Sequence, residues 1–168
     1  MHVVGMVGDN ESDMAQAFIH LCQGAAKGYA SGETADMVYV LLVGSPANPD
    51  VVWQHVAGLS SRDYLLISSD DTHVLPALRH NRAQLITYGF NPRACITASS
   101  VTENAVQVCV QRAFTGPGGV CYEPQELAAR WVAFDDRQSP LPVHTWLAAA
   151  AAWAVCGAPA VLHPGCNA

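Results

Sequence analysis

Residues 36–43 read Asp-Met-Val-Tyr-Val-Leu-Leu-Val, and this run limits the possible folds more than any other stretch of the chain. It is apolar almost without a break and rich in β-branched residues, so as a strand it needs cover on both faces, the condition of a parallel sheet. His2 to Val7, Tyr64 to Ser68 and Leu85 to Tyr88 are shorter runs of the same kind. Helical signals lie between them. Asn10 is placed to cap a helix, with Asp13 three residues on, and Met14, Ala17, Phe18, Leu21, Cys22 and Ala25 recur at helical spacing up to a stop near Gly28. Asp50 to Val56 and Thr72 to Asn81 read as short helices, the second shortened by Pro76. The order β-α-β-α-β-α-β predicts an α/β fold, a mostly parallel sheet flanked by helices on both faces.

After Asn91-Pro92 the rhythm changes. Ala94 to Ser99, Ala105 to Ala113 and Gly119 to Tyr122 read as short strands joined by tight turns, with Thr115-Gly116-Pro117-Gly118-Gly119 the strongest turn signal. Pro124 suits the first turn of a further helix. A charged, proline-bearing loop, Asp135 to Pro142, precedes a last helix from His144 to Cys156 that is apolar on nearly every face. The expectation is one domain over residues 1–168: a parallel part over 1–90, a small antiparallel annex over 94–123 and the C-terminal helix over 144–156.

Charge narrows the partners. The 168 residues are 51% hydrophobic and only 13% charged, against roughly 25% in an average soluble domain. Some apolar surface is therefore expected in a contact, either a homodimer or another protein subunit. Eight Lys+Arg against fourteen Asp+Glu give a net charge of −6, and Lys27 is the single lysine. Such a surface repels a phosphate backbone, so nucleic acid is not the expected partner. No apolar run reaches membrane-spanning length, and the acids from Asp9 to Asp13 interrupt any signal-peptide pattern. A cytoplasmic location follows as the expectation, with the six cysteines reduced and acting as small hydrophobes. His163 and Cys166 supply two ligands, too few for a zinc site.

The turn after the first strand is where nucleotide-binding folds place phosphates, because free helix N–H groups point there. Gly5-Met6-Val7-Gly8-Asp9-Asn10-Glu11-Ser12-Asp13 matches neither GxxxxGK[ST] nor GxGxxG. Asp9, Glu11 and Asp13 put carboxylates where an anion would sit. They either cap the helix themselves or hold a cation.

In the order of its motifs the chain resembles the ATP-binding central domain of the Mur ligases, which share it with folylpolyglutamate synthetase. The resemblance spans residues 2–158 and is closest over 82–101. Gly5, Gly8 and Asn10 match the phosphate loop G-x-x-G-x-N-G-K-[ST], whereas Glu11, Ser12 and Asp13 stand in place of its Gly, Lys and Ser/Thr. Ser68-Ser69-Asp70-Asp71 resembles the N-x-D-D segment near the adenine, with Asp70 and Asp71 at its acids. Thr87-Tyr88-Gly89 matches T-[FY]-G, and Ala94 to Ala98 follows the A-D-x-x-A strand. His144 matches the histidine of H-N-x-x-N, while Thr145 and Leu147 replace both asparagines. The family's magnesium-binding glutamate and carbamoylated lysine find no match; Glu33 cannot be assigned to the first role. The flanking domains of the ligases have no counterpart in 168 residues.

The resemblance thus implies a P-loop-like sheet with a degenerate loop. Gly5, Gly8, Asn10, Asp70, Asp71 and His144 are vestigial nucleotide-site positions, with no catalytic or metal-binding residue among them. It implies a noncatalytic binding or scaffold module without a cofactor. The alternative is a subunit of an ATP-dependent amide-bond ligase, using ATP and Mg2+ once a partner chain supplies the missing parts.

Overall fold

The computed structural model describes residues 2–24, 38–45, 47–102, 106–127 and 141–156. Lys27, Glu33, His163, Cys166, most of the 135–142 loop and the tail beyond Cys156 lie outside them. In chain order the elements begin with β1 (His2–Val7), α1 (Glu11–Gly24), β2 (Val38–Val43), α2 (Pro49–Val56) and β3 (Tyr64–Ser68). A 3-10 helix (Thr72–His80) leads to β4 (Gln84–Tyr88), β5 (Ile96–Val101), β6 (Val106–Val110) and β7 (Phe114–Thr115). β8 (Cys121–Tyr122), β9 (Gln125–Leu127) and α3 (Val143–Val155) follow.

Seven strands form one sheet in the order β1-β2-β3-β4-β5-β6-β9; β1 to β5 are parallel and β6 runs against its neighbours. The continuous apolar runs behave as their composition requires. On β2 and β3, Val40, Leu42 and Leu66 face α1 and α3, while Leu41, Val43, Leu65 and Ile67 face α2 and the 3-10 helix. Truncating one of these fully buried leucines to alanine costs about 2–5 kcal/mol.

Of the expected antiparallel annex, β7 and β8 form a small two-stranded sheet of their own, whereas β5 and β6 belong to the main sheet. β5 continues the parallel sheet, because it begins where β4 ends: Tyr88 pairs with Ile96 and nothing beyond. A parallel pair with full overlap needs a crossover of a dozen or more residues. Here a short Gly89–Cys95 link suffices, and β5 with β6 overhangs the end of β4. The helix expected at Pro124 is instead β9, which pairs with β6 and accepts a bond from Gln107 Nε2 at the Leu127 carbonyl, 2.8 Å. Pro124 stands just outside that ladder, where its missing N–H costs nothing. The Gly-rich turn closes the β7–β8 hairpin as expected, with Gly118 and Gly119 in the left-handed region at φ 77° and 78°.

α3 is buried from Thr145 to Cys156. One side lies on the sheet, and its alanines let α1 approach closely, Ala17 meeting Trp146 and Ala149. Its apolar faces are therefore covered within the single chain and offer no spare surface for a subunit contact. Among the described residues no helix is long and apolar enough to cross a membrane.

Candidate functional site

α1 lies on one face of the sheet and α2 on the other, so the chain leaves the carboxyl ends of β1 and β2 in opposite directions. Divergence of this kind opens the crevice in which α/β sheets bind ligands. Its floor is two glycines. Gly44 N donates to the Val7 carbonyl at 2.8 Å, and Gly8 turns at φ 142°. A Cβ on Gly8 would stand 3.2 Å from Gly44 Cα.

Above this floor the space is taken by the chain itself. A Cβ on Gly44 would lie 2.2 Å from Asn10 Oδ1 and 2.6 Å from Met14 Cε. Asn10 does not cap α1 with its side chain. Its carbonyl accepts from Met14 N at 3.0 Å, but its Nδ2 donates across to Thr145 Oγ1 at the start of α3, 3.2 Å. Its Oδ1 is buried and makes no hydrogen bond. Glu11 and Ser12, which follow Asn10 at the start of α1, are both exposed.

The two acids after β3 do different jobs. Asp71 accepts from His73 N at 3.0 Å, capping the 3-10 helix, and from Ser45 Oγ at 3.2 Å, which ties the β2 loop to the β3 loop. Asp70 reaches the β4–β5 link, where Oδ2 accepts from Phe90 N at 2.7 Å and Oδ1 from Asn91 N at 2.9 Å. Gly89 makes this possible: at φ 143° a Cβ there would stand 2.6 Å from Asp70 Oδ2. His144 Nδ1 lies 3.9 Å from the same Oδ2, and its ring meets Phe90 edge-on with centroids 4.9 Å apart.

Five of the six residues singled out from the sequence therefore gather at one edge: Gly8, Asn10, Asp70, Asp71 and His144. Gly5 does not join them. It sits within β1 beneath Tyr39, whose hydroxyl occupies the space a side chain would take. Gly44 and Ser45 belong to the same edge, and the signal for them in the sequence is their place directly after a buried parallel strand. Among the described residues no three His, Cys, Asp or Glu side chains cluster to hold a metal. Burial, and after it the neighbouring Cys22, pushes the Cys156 thiol up to about 12, far from a reactive thiolate.

Set against protein-family models, curated proteins and solved structures, the chain matches none of them.

Proposed function

We propose that the chain is a noncatalytic binding or scaffold domain, a degenerate relative of the Mur ligase central domain. In this reading it works in the cytoplasm, as a homodimer or beside another protein subunit, and does not grip ATP. The observation that carries the reading is the Asn10 side chain lying across Gly44 toward Thr145, where a phosphate-binding turn would keep open backbone. Charge supports it. Glu11 and Asp13 flank the turn and Ser12 supplies no cation, while a helix N-terminus alone offers an anion only about 0.3–1 kcal/mol. Two like charges ~4 Å apart cost about 4 kcal/mol at an effective dielectric of ~20, enough to outweigh that.

A second reading, a ligase subunit completed by a partner chain, draws on the half-exposed His144 and Phe90 rings beside Asp70. Calorimetry with magnesium-ATP separates the two. The first reading expects no binding heat. A dissociation constant in the low micromolar range that is lost in Asp71→Ala overturns it and favours the ligase subunit.

A further inference from the structure

We propose that the outer edge of β1 is a homodimer interface, in which the β1 strands of two copies pair antiparallel across a two-fold axis at Gly5. Among the described residues β1 hydrogen-bonds to one strand only, β2. Its register with β2 runs unbroken from His2 to Val7, and it contains no Asp, Glu, Lys, Arg or Pro. Edge strands usually carry a charge, a proline or a bulge that refuses a second strand. β1 carries none of these.

The bond at its end fixes which groups point outward. The Val7 carbonyl accepts from Gly44 N, on the β2 side. A residue's N–H and C=O point the same way in a strand and alternate along it. Gly5 therefore also faces β2, and Val4 and Met6 present their N–H and C=O to the open side.

A two-fold interface sets the same patch against itself. With Gly5 opposite Gly5, Val4 of each copy meets Met6 of the other in a hydrogen-bonded pair, and the overlap uses the whole strand. Glycine suits the axis, where paired Cα atoms approach to about 4.5 Å. The space over it already holds Tyr39, whose Oη lies 1.8 Å from where a Gly5 Cβ would stand. Antiparallel pairing also separates the acids. Asp9 of one copy lies about 25 Å from Asp9 of the other at ~3.3 Å per residue, well beyond the ~8 Å screening length.

Strand pairing alone buries less than the ~1,200–2,000 Å² of a stable interface, and α1 supplies more. Ala17 meets α3. Ile19, about 200° further round the helix, faces the opposite flank, on the side of the open edge, and is 54% exposed. The proposal stands on β1 and α1 and is independent of what the carboxyl edge binds.

Light scattering on the full chain tests it, with an expected mass twice the 17.8 kDa of one chain. Ile19→Glu, a surface change, and Met6→Pro, which removes an outward N–H, should each shift that mass toward the monomer without changing the circular dichroism. Hydrogen exchange reads the strand directly: the Val4 and Met6 amides should be protected in the parent and exchange fast in Ile19→Glu, while Gly5 stays protected by β2. A parent that is monomeric at ~100 µM, far above the Kd of a specific complex, overturns the proposal. So does a dimer whose Val4 and Met6 amides exchange freely.

Discussion

The Tyr88 hydroxyl donates to the Val43 carbonyl at 2.5 Å, tying β4 to β2 across the intervening β3. The crossing needs room, and the residue opposite Tyr88 on β3 is Ser68, small and buried. The bond clamps the carboxyl ends of three strands together directly beneath the Asp70–Phe90 loop contacts.

Tyr88→Phe keeps the ring and removes the donor, so it should cost about 1–2 kcal/mol in a denaturant titration. It should also alter the alkaline limb. Burial, and after it the charges of Asp71 and Asp70, raises the Tyr88 phenol above its ordinary value. The folded state then holds a proton that the unfolded chain gives up near pH ~10, so stability is intact below that pH and falls as pH rises through it. In Tyr88→Phe this part of the fall should vanish.

Asp70 offers a second test, because its carboxylate fixes two consecutive backbone N–H groups. Asp70→Ala should destabilise the chain by about 1–2 kcal/mol and speed hydrogen exchange at Phe90 and Asn91. His144→Ala should cost under ~0.5 kcal/mol, since a half-exposed pair at this separation contributes little. Comparable losses for both variants would mean that the His144–Asp70 pair, rather than the backbone bonds, holds the loop.

What was legible in the sequence follows from range. The parallel strands were readable because Val40, Leu41, Leu65 and Leu66 carry their burial in their own composition. β9 was not, because Gln125-Glu126-Leu127 is polar and short, and its strand character comes from β6 beside it. The continuity of β5 with β4 rests on a stagger of one residue pair, which no local pattern encodes. At the site, the acids and His144 were visible as motifs. The turning of Asn10 away from its own helix was not, since it depends on Thr145, 135 residues away.

Asp63 should govern part of the acid limb. Burial alone would raise its carboxyl, but bonds from the Ser60 backbone and side chain and from the Tyr39 backbone N–H hold it below its ordinary value. A lowered folded value stabilises above the unfolded value near ~4, and that contribution is lost as pH falls through the folded one. Asp63→Asn should therefore be less stable than the parent at neutral pH, and the gap should close as pH falls through the lowered folded value. Urea titrations across that range decide it; a constant gap would mean the carboxylate charge is not what matters.

The last test returns the loop residues that the resemblance lacks. Replacing Glu11, Ser12 and Asp13 with Gly, Lys and Thr removes two negative charges and adds a positive one at the start of α1. Inorganic triphosphate should then bind at least tenfold more tightly than to the parent, about 1.4 kcal/mol, and the gain should fade with added salt as exposed charge interactions do. Binding should stay weak, because Asn10 still lies against Gly44 beneath the new lysine, and no ATP hydrolysis should appear. Calorimetry at low and high salt reads both effects. Equal affinity in parent and triple variant would show that the acids are not what excludes phosphate and would leave the Asn10–Gly44 contact as the barrier, to be relieved next by Asn10→Gly.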